Sequence, residues 1–305
     1  MTGRGSAPHR GRPPGCPTPH SRQAVQSADI PTQVPLPRMS NIESVNALLT
    51  AIHFDRFAEI EARHAPDALF QSFRGPTLRD SVSISDWHRG FLKDYADCNY
   101  TELEYIESGD VVAVRATLAA KGYDFRAFTQ RVVEVFEFAG DGGPIISRHL
   151  YAMLPDLELD KPTTAALTNA LESRGGSASA SQALVDGFYA ALFAGDAEGA
   201  RPALADKAAI IDSVYGAANG PDNIFALMAA IPSPAFGSWR VTRSVASAKD
   251  VLVEASIDPN RPRAADWVRV VDGKIGVIES YWMLREIGLT QAQGERYIKQ
   301  VILPI

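Results

Sequence analysis

A pattern of residues near position 150 of the chain returns, in the same order, 130 residues later. Segment 145–154, IISRHLYAML, corresponds to segment 275–284, IGVIESYWML, with Ile, Tyr, Met and Leu at one constant spacing. A second pair of segments, 112–118 (VAVRATL) and 251–257 (VLVEASI), precedes them in both places. Because two matches in one order are rarer by chance than one, the pattern indicates an internal duplication.

Length and composition agree with two similar folding units. A chain of 305 residues is longer than one hydrophobic core usually serves. The net charge of −6 argues against a nucleic-acid partner, and no apolar run approaches the roughly 18 residues of a membrane span. Positions 1–38 lack the apolar stretch of a secretory signal. With only Cys16 and Cys98, the sequence predicts no disulfide framework and no CxxC metal site. We expect a cytoplasmic protein that holds no metal and uses no cofactor.

Shifts in composition predict the domain boundaries. Residues 1–38 are rich in Pro, Gly, Ser and Arg and are expected to form a disordered arm; a transit peptide and a basic interaction tail are the alternatives. Residues 155–180 contain Gly-Gly and alternating Ser and Ala, as a flexible linker does. We therefore expect domains at 39–154 and 181–289, followed by an apolar tail, 290–305, that docks on a domain or a second subunit.

Both halves show the same succession of predicted elements. Each opens with an amphipathic helix, 46–62 or 182–192, and continues with a short strand at 69–73 or 210–214. A second helix follows, and each half ends in strands of β-branched residues. The later helices and strands are predicted at 86–95, 111–118, 131–138 and 145–153, and at 222–230, 251–257, 266–271 and 275–282. Helices first and antiparallel strands afterwards define an α+β fold.

The second half contains FYAALFAGDAEGARPALADKAAIIDSVYGAANGPDNI and, later, DWVRVVDGKI. With these motifs, residues 181–288 resemble the NTF2-like superfamily, in particular its ketosteroid isomerase and SnoaL-like branch. Residues 41–154 resemble the same superfamily through YIESGDVVAVRATL and VVEVFEFAGDGG. The resemblance implies two cone-shaped domains, each a curved sheet wrapped on helices around a small apolar ligand. It also implies that the two domains pair as an internal pseudo-dimer, and it leaves a homo-oligomer open.

Two aspartates of the second half occupy positions that carry chemistry in the isomerase pattern. The resemblance implies that Asp212 is the general base and Asp266 the acid that stabilises an oxyanion. Burial beside Ile210, Ile211 and Trp267 would raise both carboxyl pKa values, and a shared pocket would separate them. The alternative is that both are solvated or turn-forming residues at strand ends.

The tyrosine of the isomerase pattern is not where the resemblance places it. That position is Phe188, and Tyr189 lies about 100° further around the helix. Tyr215 or Tyr281 could replace it. Candidate substrate-binding residues are large side chains, which could equally be plain core: Phe188, Tyr189, Tyr215, Trp239, Trp267, Tyr281 and Trp282.

The first half lacks the same pair of acids. Its residues at the corresponding positions are predicted to be Gln71, which cannot act as a base, and Glu134. Its other polar candidates are three histidines and a tyrosine: His53, His88, His149 and Tyr151. We expect this half to be a degenerate partner or a binding pocket without chemistry.

Three functions remain open from the sequence. The first is cofactor-independent acid–base catalysis, of the isomerase or cyclase type, on a small apolar carbonyl compound. The second uses the same two aspartates on an epoxide, as NTF2-like epoxide hydrolases and polyether cyclases do. The third is a non-catalytic module for ligand binding or dimerisation.

Overall fold

The computed structural model describes residues 39–73, 75–122, 127–153, 165–166, 176–212, 214–230 and 238–283. The predicted arm, most of the predicted linker and the predicted tail lie outside these ranges. Six α-helices are described: α1 (Asn41–His53), α2 (Phe57–Ala62), α3 (Ser81–Asp94), α4 (Ala178–Phe193), α5 (Ala197–Ala200) and α6 (Pro221–Ala230), with a 3₁₀ turn at Arg201–Ala203.

Helix starts follow the capping residues of the sequence. Ser40 and Glu43 form a capping box at the start of α1, and the side chain of Ser177 accepts a hydrogen bond from the backbone N–H of Ala180 at the start of α4. Because of this cap, α4 begins at Ala178. The last three residues of the predicted linker therefore belong to a helix.

In the part of the chain that the structure describes, twelve strands form one sheet that is mainly antiparallel, which confirms the predicted α+β fold. In the first half they are β1 (His64–Ser72), β2 (Thr77–Leu78), β3 (Tyr95–Ser108), β4 (Val111–Gly122), β5 (Ala127–Phe138) and β6 (Ile145–Ala152). In the second half they are β7 (Leu204–Asp212), β8 (Gly216–Asn219), β9 (Arg240–Ala246), β10 (Asp250–Ser256), β11 (Ala264–Val271) and β12 (Lys274–Trp282). The order through the sheet is β3-β4-β5-β6-β12-β11-β10-β9, with β1 parallel to β6 and β7 parallel to β12.

The sheet repeats one plan about its centre. Its two halves meet where β6 pairs with β12, through Ala152 and Trp282. These two residues stand 130 positions apart, at the spacing of the sequence repeat. Equivalent residues of two copies face each other where a two-fold axis passes. The register between β6 and β12 is therefore the one expected if two copies of a duplicated domain pair with each other.

Two predictions about elements were wrong. The helix predicted at 46–62 is two helices, since the backbone turns at Asp55, which has a φ of 56°. The second half has the same break at Gly195, with a φ of 77°. The edge strands β3 and β9 were not predicted, because β3 alternates polar and apolar residues only over part of its length and β9 carries two arginines.

Apolar side chains form two buried clusters. One lies between the helices and the sheet of the second half and includes Val185, Phe188, Ile224 and Ile278. The other fills the first half and extends across the junction to Trp267 and Tyr281 of β11 and β12. Successive residues of a strand point to opposite faces of a sheet. Asp266 and Trp267 are therefore directed to opposite sides of β11.

Candidate active site

Asp212 is the last residue of β7 and lies where the chain turns toward β8. Only 2% of its surface is exposed. Its Oδ1 atom accepts hydrogen bonds from the backbone N–H groups of Val214 (2.8 Å) and Tyr215 (3.1 Å). The indole Nε1 of Trp282 is 3.1 Å from both carboxyl oxygens. A buried carboxyl group is thus fixed in place by three donors.

The surroundings of Asp212 poise it between two protonation states. Burial raises the pKa of this carboxyl to about 7, because desolvation penalises its charged form more than the three hydrogen bonds favour it. The nearby carboxyl of Asp266 raises the pKa further. A group with this pKa can take up and release a proton near neutral pH, which is what a general base requires.

Asp266 projects from β11 and has a hydroxyl partner on α4. The hydroxyl of Tyr189 donates a hydrogen bond to its Oδ2 atom, and Ser280 of β12 also hydrogen-bonds to the carboxyl. Burial raises the pKa of Asp266, although both hydrogen bonds act to lower it. Burial likewise holds the pKa of Tyr189 well above its ordinary value, so its hydroxyl keeps its proton.

Both aspartates line one cavity of about 70 Å³ in the second half. Its walls are mostly apolar and include Leu192, Phe193, Ile210, Met228, Trp239 and Trp282. Tyr189 lies in the same wall. Two carboxyl groups with raised pKa values and a protonated phenol therefore face one small, mostly apolar cavity, an arrangement suited to moving a proton.

Of the two neighbouring aromatic residues on α4, Tyr189 is the one that lines the cavity. Phe188 and Tyr189 both pack in the apolar cluster of the second half, but Phe188 is not part of the cavity wall. Placing the tyrosine by counting residues along the helix missed this, because the rotation of α4 about its axis is set by packing. The length of the Tyr189 side chain and its position one residue away were the available signals.

The other candidate binding residues divide into two groups. Trp239 and Trp282 line the cavity. Tyr215 contributes its backbone N–H to Asp212, and its ring packs edge-on against Trp282 at 5.5 Å. Trp267 and Tyr281 are fully buried in the cluster that crosses the junction. They were wrongly expected at the cavity, because they lie on the other face of their strands.

The strand register corrects the predicted equivalences of the first half. Ser280 of β12 pairs with Asp212, and Leu150, its counterpart in β6, pairs with Ser72. Ser72, one residue beyond Gln71, is therefore the counterpart of Asp212. Glu134 pairs with Leu150 as Asp266 pairs with Ser280, so the expected equivalence of Glu134 and Asp266 agrees with the register.

Glu134 is held in a buried ion pair. The guanidinium of Arg148 lies 2.6 Å from its Oε2 atom, and both side chains are almost completely buried. Arg148 also contacts Nε2 of His88 at 3.0 Å. Burial, with the charge of Arg148, holds the pKa of His88 well below its ordinary value, so this histidine is neutral. Asp266 has no basic partner of this kind among its described contacts, whereas its counterpart in the first half, Glu134, is paired with an arginine.

A second cavity, of about 340 Å³, lies in the first half. Most of its lining is apolar or aromatic: Ile52, Phe73, Trp87, Phe91, Tyr95, Tyr100, Leu118 and Leu150. Ser72, the counterpart of Asp212, lines it too. This volume falls in the range of small-molecule sites.

The remaining polar candidates of the first half have structural partners. His53 contacts the backbone oxygen of Cys98 at 2.8 Å. His149 and Tyr151 both contact Oε1 of Glu254 in the second half, His149 at 2.7 Å. These two residues share one face of β6, as their spacing predicted. Their contacts belong to the junction between the halves.

Across the described ranges, no three His, Cys, Asp or Glu side chains are grouped closely enough to hold a metal ion. The helices described there are also too short or too polar to cross a membrane.

Comparisons with known proteins identify the fold of the first half. Residues 45–148 match the family described as the SnoaL-like domain. This match confirms the predicted family resemblance for the first half, whose motifs were the more diffuse. No curated protein matches the chain.

Solved structures of the same type are similar to part of the chain. A protein with a ketosteroid isomerase-like fold from Catenulispora acidiphila is 19% identical over 36% of this chain and 84% of its own, with a TM-score of 0.34. An NTF2-like protein from Burkholderia pseudomallei is 22% identical over 37% and 92%, with a TM-score of 0.34. An NTF2-like protein from an Exiguobacterium species is 16% identical over 36% and 97%, with a TM-score of 0.32.

Proposed function

We propose that the second half is a cofactor-independent acid–base catalyst for a small, largely apolar carbonyl compound, of the isomerase or cyclase type. One observation carries the proposal: Asp212, Asp266 and Tyr189 line a single apolar cavity. The first half supports the assignment by contrast. Its equivalents are Ser72 and a Glu134 neutralised by Arg148, so the same fold has a site without the pair of acids.

The roles of the two aspartates follow the isomerase pattern. The Asp212 carboxylate takes a proton from the carbon next to the carbonyl group, and the electron pair of that C–H bond moves to the carbonyl oxygen as an enolate. Protonated Asp266, oriented by Tyr189, donates a hydrogen bond to this oxygen. Asp212 then returns the proton at a different carbon, so the reaction needs no external oxidant or reductant.

The test compares Asp212→Asn with Asp206→Asn on a panel of cyclic enones and β-keto compounds. Asp206 lies on the same strand but is exposed. Asp206→Asn therefore removes one negative charge, as Asp212→Asn does, but it removes that charge outside the cavity. Asp212→Asn is expected to lower kcat by at least about 10³-fold with little change in KM, because the variant loses a group used only in the transition state. Equal turnover in the two variants would refute the assignment.

The epoxide alternative uses the same residues differently. Asp212 would activate a water molecule, and Asp266 would protonate the epoxide oxygen. Racemic epoxides added to the panel separate the two reactions, because only this alternative consumes them and does so enantioselectively.

A second candidate function, ligand binding without turnover, is favoured by the first-half cavity. Its aromatic lining and its volume suit an apolar molecule, and it lacks the second half's pair of acids. An apolar fluorescent probe is expected to bind wild type and Asp212→Asn equally, because that substitution lies in the other half. Gly90→Leu is expected to abolish binding: Gly90 lines the cavity, and its added Cβ would meet no atom within 4 Å. Unchanged binding in Gly90→Leu would refute this function.

We also propose that the two halves are a duplicated domain and that their pairing through β6 and β12 is an internal pseudo-dimer. Support comes from the repeated element order and from the pairing of Ala152 with Trp282.

A further inference from the structure

Charged side chains line the contact between the two halves, and their positions are related by the repeat. The ladders through β4-β5-β6 and β10-β11-β12 make Arg115 equivalent to Glu254, and His149 equivalent to Glu279. The ladders β3-β4 and β9-β10 make Glu104 equivalent to Arg243. The ladders β4-β5 and β10-β11 make Glu137 equivalent to Arg269. At three of these four positions the charge has opposite sign in the two halves, and at the fourth a histidine stands opposite a glutamate.

The contacts across the junction obey the same symmetry. Arg115 of β4 bonds to Glu279 of β12, and the symmetry-related contact is His149 of β6 with Glu254 of β10, at 2.7 Å. Glu104 of β3 bonds to Arg269 of β11.

The contact related to that pair joins Glu137 of β5 to Arg243 of β9, at 2.6 Å. These two pairs thus recur on the other side of the two-fold axis with their polarity reversed.

These charged groups are deeply buried, so the stability of the junction depends on the sign of each charge. Glu254, Arg269 and Glu279 are each no more than 2% exposed. Burial acts to raise the pKa of Glu254, but the attraction of His149 and Arg243 lowers it to about 2. A buried charge that loses its partner is strongly destabilising.

Pairing of like halves would remove the partners that lie across the junction, whereas pairs within one half, such as Arg243 with Glu254, would remain. By the same symmetry, two second halves would set Glu254 against Glu279 and Arg243 against Arg269. Two first halves would set Glu104 against Glu137 and leave Arg115 opposite a histidine in place of a carboxylate. Juxtaposed like charges exclude wrong partners in protein interfaces.

We infer that the polar sheet face of each half is a recognition surface that accepts the opposite half of this chain and rejects a copy of its own half. The recognition residues are Glu104, Arg115, Glu137 and His149 in the first half and Arg243, Glu254, Arg269 and Glu279 in the second. The occupant of each face is the other half of the same chain, so this face does not join two chains into a homodimer.

The test exchanges the charges within the full-length chain. One variant, R243E/E254R/R269E/E279H, gives the second half the residues of the first. A second variant, E104R/R115E/E137R/H149E, does the reverse, and a third combines all eight substitutions. The eightfold variant is the matched control: it carries every change of the other two, but it restores opposite signs across the junction.

Each fourfold variant is expected to melt at least about 10 °C below wild type or to elute as aggregates. The eightfold variant is expected to elute as wild type does and to recover at least half of the lost melting temperature. An eightfold variant no more stable than the fourfold variants would overturn the inference, as would a fourfold variant that melts within about 2 °C of wild type.

Discussion

Asp212 combines two properties that oppose each other, and its chemistry follows from their balance. Three hydrogen-bond donors favour the carboxylate, while nearly complete burial favours the neutral acid. Burial prevails and brings the pKa to about 7. An aspartate with only a structural role at a strand end would be exposed, and its carboxyl group would be fully ionised at pH 7.

The pH dependence of turnover follows from this pKa. As the base, Asp212 must be ionised, so kcat/KM is expected to rise with pH and to level off above a midpoint near 7. The measurement is a pH–rate profile for the best substrate of the panel. A rate that is flat from pH 5 to 8 would speak against Asp212 as the base.

Tyr189 provides a second test at the level of single residues. Tyr189→Phe removes the hydroxyl that orients Asp266 and is expected to lower kcat about 10-fold to 100-fold. Phe188→Leu is the control, because its neighbouring ring packs in the apolar cluster. If the control loses more activity than Tyr189→Phe, packing of α4 rather than the hydroxyl is what matters.

Among the elements, periodicity predicted those with a clear apolar face and missed those without one. The three closing strands of each half were found because their β-branched residues are nearly continuous. The break after α1 was missed because Asp55 is not a glycine, although its backbone has a positive φ. In the second half a glycine, Gly195, stands at the corresponding break, and glycine is the residue expected at a positive φ. The site followed the same rule. Both aspartates stood out beside apolar neighbours, whereas the role of Tyr189 depended on the rotation of a helix.

Two glycines of the second half allow a matched test of this reading. Gly195 ends α4 with a φ of 77°, so Gly195→Ala is expected to cost about 1 kcal/mol of unfolding free energy. Gly187 lies exposed within α4, where an added Cβ would meet no atom within 4 Å. Gly187→Ala is expected to stabilise the protein by about 0.5–1 kcal/mol. Urea unfolding measures both; changes of the same sign would contradict the assigned helix end.

At the scale of the whole molecule, the two halves share one order of elements but differ in the volume and the lining of their cavities. The second half has a small cavity lined by two aspartates, and the first half has a larger cavity and, at the position of Asp266, a Glu134 paired with Arg148. The repeat in the sequence predicted the shared plan. It did not predict the division of roles, because that depends on Arg148, whose counterpart in the repeat is Ile278.

The raised pKa of Asp212 also makes the stability of the whole chain depend on pH. Between its ordinary pKa of 3.8 and about 7, the folded protein keeps a proton that the unfolded chain has released. This contribution is fully present below about pH 4 and is lost as the pH rises through 7. The difference between these two pKa values corresponds to about 4 kcal/mol.

Asp212→Asn removes this dependence. Compared with wild type, the variant is expected to lose less stability between pH 4 and pH 8, because its amide does not titrate. Urea unfolding at the two pH values measures the difference. Parallel pH curves for variant and wild type would show that Asp212 titrates normally.

The central claim is that Asp212 is a buried carboxyl group poised near neutral pH, and its ionisation can be observed directly. Infrared difference spectra of wild type minus Asp212→Asn isolate the carboxyl band of this residue as the pH is varied. We expect the protonated band to disappear with a midpoint near 7. A midpoint near 4 would mean that the carboxyl group is hydrated, and the proposed acid–base site would then lose its base.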